Sequence, residues 1–292
     1  MQRTIIDDLN DVDIITDEFI IKPETNNIHL LHSKTIEHLN LYSFNQKQFE
    51  KAVEYFNVSS LSFYEFRVED LSPFENLDRV ENLSLAWNTK AFQLWNMERN
   101  INLRRLVISD FSKLRSIELI KTGTVLESLE LSGGIWTKLT IETLEPLSEL
   151  KRLKQLTLTN IKVDDQSLGP LVELKNLEKL ELSNQFAVEE YAKLSVVLTE
   201  TKCDLFSAYT KLNSPIEDKD IMITGNGKPF LNSVADVKKI DAFETKFRKL
   251  QEQYRVSFLS YQEDSLIWSI LPVSGTIGNI PISEEAIRAR YK

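Results

Sequence analysis

Only one cysteine, Cys203, occurs in the 292 residues, so no disulfide can form within the chain. Histidine is almost as scarce. His29, His32 and His38 lie close together, but no cysteine or carboxylate stands at a supporting zinc-ligand position, so a metal site is not expected. Basic charge is in deficit, with 35 Lys+Arg against 44 Asp+Glu and a formal charge of −9, which repels phosphate backbones and anionic lipid. Neither nucleic acid nor a membrane is therefore an expected partner. No apolar run approaches the roughly 20 residues of a membrane span. The stretch from Met1 to Asp17, with Asp7, Asp8, Asp11 and Asp13, has no basic n-region or apolar h-region, so the expectation is a soluble, cytoplasmic protein. Glycine and proline, eight each, are too few for a fibrous or low-complexity chain.

What the chain has in quantity is a repeated pattern: an apolar residue, two variable ones, an apolar one, one variable, an apolar one. It occurs as Ile36, Leu39, Leu41; Val58, Leu61, Phe63; Val80, Leu83, Leu85; Leu103, Leu106, Ile108; Leu126, Leu129, Leu131; Leu153, Leu156, Leu158; and Leu177, Leu180, Leu182. From Leu39 onward the central residues are separated by steps of 22, 22, 23, 23, 27 and 24. Side chains alternate across a strand, so each unit points its leucines inward and the residues between them outward, and the units stack as parallel strands. Between them Phe49, Ala52, Val53 and Phe56; Phe92 and Trp95; Ile141, Leu144 and Leu147; and Leu168, Leu171 and Leu174 have helical spacing and cover the back of the sheet.

This pattern resembles the leucine-rich-repeat family, of bacterial type, over about residues 28–198. The resemblance implies an α/β solenoid, with a parallel concave sheet and helices and turns on the convex side, and a non-enzymatic role in protein binding. The family's turn asparagine or cysteine is replaced by Phe44, Phe66, Phe111, Gly134, Ile161 and Gln185, and only Asn88 conforms. Aromatic rings are expected to fill that interior corner instead of an asparagine ladder. Leu114, Ile117 and Leu119, and likewise Ile28 and Leu30, form either extra rungs or convex packing.

The organisation expected is an N-terminal cap (1–27), the repeat array (28–204) and a C-terminal α+β cap (205–292). In the last, residues 213–220 read as a polar turn or linker. Gly225-Asn226-Gly227-Lys228 reads as a hairpin turn, since the Walker pattern places Gly and Ser or Thr where Met222 and Pro229 stand. A helix with a capping-box-like start at Ser233 and Asp236 carries Val234, Val237, Ile240, Phe243, Phe247, Leu250 and Tyr254 on one face. Val256 and Phe258, then Leu266, Trp268 and Ile270, suggest two strands, and residues 283–292 a short helix.

No constellation for chemistry emerges. Cys203-Asp204 lacks the Cys-x-Asp arrangement of the bacterial ubiquitin ligases built on leucine-rich repeats, and no base accompanies the thiol. The acidic N-terminal run lacks the glycine and final glutamate of an EF-hand loop. No catalytic residue, metal or cofactor is expected. The outward residues of the strands, together with Trp136, whose role the pattern leaves open, supply the candidate partner-binding set: Tyr42, Tyr64, Trp87, Arg105, Val107, Glu130 and Trp136. Tyr42 and Tyr64 hold equivalent positions on neighbouring strands and should lie about 5 Å apart. The expected role is binding a protein partner on the concave face. The alternative is a regulatory or inhibitory subunit that occludes an enzyme or toxin.

Overall fold

The computed structural model describes residues 3–270, 276–277 and 280–281. A column of short strands runs through it: β1 (Thr4–Ile5), β2 (Phe19–Ile20), β3 (Leu39–Tyr42), β4 (Ser60–Tyr64), β5 (Asn82–Asn88), β6 (Arg105–Phe111), β7 (Ser128–Ser132), β8 (Gln155–Thr159) and β9 (Lys179–Leu182). Strands β3 to β9 form one seven-stranded sheet in chain order, every pair parallel. Leu39, Leu61, Leu83, Leu106, Leu129, Leu156 and Leu180 stand directly opposite one another and are all buried. This is the α/β leucine-rich-repeat solenoid that the spacing implies.

The column continues N-terminally. The Ile21 N–H donates to the Asn40 carbonyl at 2.9 Å, the Tyr42 N–H donates to the Ile21 carbonyl at 3.0 Å, and β1 pairs in parallel with β2. Ile28 and Leu30 belong to a 3₁₀ helix, Ile28–Ser33, and not to a rung; Leu114 and Ile117 are buried just before another, Glu118–Thr122. His29 and His32 share the first of these helices, whereas His38 stands just before β3.

The convex side is mostly 3₁₀ helix: Ser72–Asn76, Glu118–Thr122, Glu145–Glu149 and Gly169–Glu173 recur along the array, and among the described residues only α1 (Gln46–Ala52) is an α-helix there. The cause is a strict three-residue spacing, seen in Leu71, Phe74, Leu77, Val80; in Leu144, Leu147, Leu150, Leu153; and in Leu168, Leu171, Leu174, Leu177. Residues three apart eclipse in a 3₁₀ helix. Pro73, Pro146 and Pro170 sit in the first turns, where a missing N–H costs nothing. Phe92 and Trp95 lie in an irregular segment. Trp95 is buried, but Phe92 is exposed beneath the Lys113 ammonium, 5.5 Å from its ring centre.

At the end of five of the seven strands, β3, β4, β5, β6 and β8, the chain turns inward through a residue of positive φ: Ser43 (62°), Glu65 (56°), Trp87 (57°), Asp110 (54°) and Asn160 (48°). The next residue drops into the core, and Phe44, Phe66, Asn88, Phe111 and Ile161 are all buried. As expected, rings fill the corner. Phe66 lies 4.4 Å from Phe63 and 5.2 Å from Phe49 between ring centres, and Phe74 joins them to Trp95 at 4.9 Å. Asn88, the one conforming residue, donates to the Val68 carbonyl at 2.7 Å and accepts from the Lys90 and Ala91 N–H groups at 2.7 and 2.9 Å.

The open end beyond β9 is closed by α2 (Val188–Val197) and by the antiparallel sheet β10 (Tyr209–Ile216), β11 (Lys219–Ile223) and β12 (Phe230–Leu231), followed by α3 (Val237–Ile270). The buried Tyr191 hydroxyl donates to the Ser183 carbonyl at 2.7 Å and accepts from the Gln185 and Phe186 N–H groups at 3.0 and 3.1 Å. Asn184 clamps the cap to the array, donating to the Ile223 carbonyl at 2.8 Å and accepting from the Gly225 N–H at 2.7 Å. Phe247 enters the array core, whereas Ile240 packs with Ile221, Ile223 and Leu231.

The Gly225–Lys228 turn joins β11 to β12 as expected, with Gly225 and Gly227 at positive φ. Three readings of this region need correction. Residues 213–216 are strand, the turn coming at Glu217 (φ 57°). The turn leading into the helix is closed by Asn232 and not Ser233, the Asn232 side chain accepting from the Val234 and Ala235 N–H groups at 2.9 Å while Asp236 Oδ2 accepts from the Asn232 N–H at 3.1 Å, and Val234 is exposed. Positions 256–258 and 266–270, expected as strands, lie within α3, because the helical period of Phe243, Phe247, Leu250 and Tyr254 runs on unbroken by glycine or proline. The helix expected at 283–292 lies outside the described residues.

Phe66→Ala should lower unfolding stability by about 3–5 kcal/mol, the usual cost of an unfilled aromatic site. Equilibrium urea denaturation checks it, and a loss below about 1 kcal/mol would show that the corner collapses around the gap.

Candidate partner-binding face

The strand register brings Tyr42 opposite Tyr64, with ring centres 5.2 Å apart, and the Trp87 ring lies 5.6 Å from Tyr64. Trp87 does not occupy the position equivalent to the two tyrosines, which is held by Ala86. Its positive φ places it at the bend in the last residues of β5, where the indole lies against Tyr64. Bulky L-residues avoid this conformation, at roughly 1–2 kcal/mol. Tyr64 and Trp87 remain 44% and 41% exposed, while Tyr42 is half-buried and accepts a hydrogen bond from Arg3 Nη1 at 3.1 Å. The three rings form one continuous patch across β3, β4 and β5.

Trp136 lies on the same edge, farther along. The single step of 27 between Leu129 and Leu156 is spent on a loop after β7. Asp110 and Asn160, from the bends of the flanking rungs, pin its base. Asp110 Oδ1 accepts from Thr137 Oγ1 at 2.8 Å, and Asn160 Nδ2 donates to the Gly134 carbonyl at 2.6 Å. A Cβ on Gly134 would stand 2.2 Å from Asp110 Oδ1, and one on Gly133 would stand 2.3 Å from the Asn160 carbonyl oxygen, so this anchorage requires glycine. The tip projects into solvent, with Ile135 89% and Trp136 93% exposed. Trp87, Asp110 and Gly133 end successive rungs, which puts the loop base about 10 Å from Trp87.

Arg105, Val107 and Glu130 lie further into the concave face, on β6 and β7. Val107 stands opposite Glu130, and Arg105 opposite Ser128. The sheet therefore does not gather all seven candidates into one spot: Tyr42, Tyr64 and Trp87 are one patch, Arg105 and Val107 border a separate pocket, Glu130 is on the next rung, and Trp136 crowns a loop. Asn40, outward by alternation, is buried under the N-terminal segment and donates to the Asp17 and Phe19 carbonyls at 3.2 Å. Ile135 was not singled out in the sequence, nor were His38 and the serines beside it as a group. His38 bridges Ser60 Oγ at 2.6 Å from Nδ1 and Ser62 Oγ at 2.8 Å from Nε2. The alternation of strand residues could have grouped them.

Away from this face, burial pushes the Cys203 thiol up to about 11, well away from the range of a reactive thiolate. Among the described residues no group of three His, Cys, Asp or Glu is placed to hold a metal.

Burial, with the nearby Arg3 charge, lowers the His38 pKa below its ordinary value, against smaller opposing effects of Asn40 and Asp17. The unfolded chain therefore takes up the proton first. His38's contribution to stability is complete above about pH 6.5 and is lost as pH falls from there toward the lowered folded value. Thermal unfolding between pH 7.5 and 5.5 should show a fall in midpoint that is reduced in His38→Gln; an equal fall in both proteins would assign it to other groups.

No family model matches the sequence, and no curated protein matches it. Among solved structures it is similar to an internalin (inlF) from Listeria monocytogenes str. 4b F2365, at 18% identity over 68% of this chain and 61% of that one, with a TM-score of 0.44. It is also similar to internalin C2 (inlC2) of the same strain, at 20% identity over 52% and 63%, with a TM-score of 0.42. The chain spans less than two thirds of the length of either internalin. The description of the chain as a leucine-rich-repeat solenoid rests on the register of its own strands.

Proposed function

We propose that this chain is a non-enzymatic protein-binding module whose partner docks on the N-terminal half of the concave face and its adjoining rim, through Tyr42, Tyr64 and Trp87, with Trp136 as an outlying anchor. The observation that carries the reading is Trp87, a bulky residue held at a φ of 57° with its ring 41% exposed. Asn, Asp or Gly would make the same bend with less strain, and the tryptophan ring lies outside the buried core, touching Tyr64 while 41% of it stays exposed. Exposed, pre-positioned aromatic rings bring large contact area with little loss of side-chain freedom, as hot-spot residues do. The Ile135–Trp136 tip supports the same reading, since its base is fixed by four polar contacts and tight glycine packing while its apolar side chains contact solvent. Use of the same face to cover an enzyme or toxin would need no different structure; it differs only in what the partner does.

The partner is to be captured on immobilised protein, identified by mass spectrometry and titrated against Tyr42→Ala, Tyr64→Ala, Trp87→Asn and Trp136→Ala, with Glu181→Ala as the distant control. Loss of an anchoring ring should weaken binding by about 30-fold or more. Trp87→Asn should keep stability or raise it by about 1 kcal/mol, because asparagine accepts the left-handed bend. Equal affinity for all five variants would remove the interface from this face.

A further inference from the structure

On the concave face, near the starts of the strands that carry the aromatic row, a shallow pocket of about 250 Å³ opens among His38, Ser60, Ser62, Ser84, Arg105 and Val107. Sites for drug-sized ligands measure about 300–1,000 Å³, so this one suits a single side chain and not a cofactor. A larger depression of about 390 Å³ lies outside the concave face near Ser59 and Glu81, but its Arg79 is already engaged, donating to Asn57 Oδ1 at 2.8 Å.

In the smaller pocket the unused bonding capacity is on the donor side. A neutral imidazole has one donor and one acceptor nitrogen. Of the two serines on His38, the one that accepts the ring N–H therefore keeps its own O–H free. Ser84 has no side-chain partner among the described residues, and Arg105 makes only a long bond from Nη1 to Ser128 Oγ at 3.4 Å. No carboxylate lines the pocket, although the chain carries 44 of them against 35 Lys+Arg. Val107 adds an apolar wall against which methylene groups can lie.

We propose that this pocket receives an acidic side chain, aspartate or glutamate, of the protein partner, with the carboxylate on the Arg105 guanidinium and the Ser84 hydroxyl. The inference deepens the binding-module reading and rests on it. Ser62 and Ser84 stand two strand residues before the level of the aromatic row, and His38 and Arg105 four, so the pocket lies about 7–13 Å from the row. The partner's epitope then presents an acidic group and an apolar anchor within that separation, the span of residues i and i+2 to i+4 in an extended segment. A guanidinium holds a carboxylate through two parallel bonds, which a lysine ammonium cannot reproduce.

The pocket can be tested without the partner. N-acetyl-glutamic acid amide is titrated into the full chain by NMR, following the Arg105 Nε–Hε signal and the Ser62 and Ser84 amides, with N-acetyl-glutamine amide and inorganic phosphate as parallel arms. Saturable shifts with the glutamate probe are expected, at least tenfold weaker with the glutamine probe. In Arg105→Gln they should vanish, in Arg105→Lys be much reduced, and in Trp87→Asn persist. No saturation, equal response to both amides, unchanged shifts in Arg105→Gln, or response to phosphate alone would each overturn the proposal. Arg105 is exposed, so its variants should fold, and far-UV circular dichroism verifies this. Because the titration uses no aromatic contact, its failure beside a sound ring dependence of partner binding would remove only the acidic pocket, whereas success with no ring dependence would remove only the aromatic anchor.

Discussion

Every coil of this molecule has the same problem: one strand and one turn of 3₁₀ helix enclose too little apolar surface to stay folded alone. The leucines at the centre of each strand become dry only when the next coil covers them, so stability resides in the interfaces between rungs. That requires the strands to be in register, because a slip of one residue would turn every leucine outward. Leu39 through Leu180 satisfy the condition without a break across seven strands. Both ends of such a stack are liabilities. At the C-terminal end the Leu180 N–H donates to the Lys202 carbonyl at 2.9 Å, and α2 and the small antiparallel sheet lie beyond. At the N-terminal end β1 and β2 shorten to two residues each, which leaves little free edge for another strand to join.

The same register links the fold to the candidate site. Once the leucines are fixed inward, the residues between them are fixed outward, and their neighbours on adjacent rungs are set by the repeat length. Tyr42 and Tyr64 meet because they are 22 residues apart on coils whose leucines are also 22 apart. Each bend at Ser43, Glu65, Trp87, Asp110 and Asn160 works in the same way. It sends the following residue into the core, and it gives the bend residue itself a defined direction at the rim. Where that residue is Ser43, Glu65, Asp110 or Asn160, the bend is stabilised locally or tied to a neighbour; the Ser43 hydroxyl, for example, donates to Glu65 at 2.6 Å. Where it is Trp87, the rim presents a ring.

The strands were legible because their signal is redundant: seven copies of one pattern, each constrained by burial. The outward alternation that predicted the Tyr42–Tyr64 contact is part of that signal. Trp87 was legible as an outward aromatic, but its contact with Tyr64 depends on a positive φ that nothing in the local sequence announces. The convex side was read as helical from apolar residues three and four apart. The uninterrupted spacing of three from Leu144 to Leu153 and from Leu168 to Leu177, with proline after the second residue of each run, would have distinguished 3₁₀ from α. The tail misled because aromatic and β-branched residues at 256–258 and 266–270 fit a strand as well as a buried helix face, and only the continuity of α3 decides between them.

A solenoid separates the residues that make it fold from those that give it a partner. Leucines inside the sheet obey the repeat whatever the protein binds, so periodicity carries no information about function. Information about binding enters where the chain departs from its own rules. Three departures occur here along one half of the structure: a tryptophan at a bend suited to asparagine or glycine, a coil lengthened to 27 residues with its apolar tip in solvent, and an arginine beside serines without a carboxylate to pair with. None adds to the buried core between rungs, and the first costs strain. Their placement on β3 to β7, while the concave positions of β8 and β9 hold paired groups such as Lys179 with Glu181, gives the molecule a polarity along its length that the repeat by itself does not require.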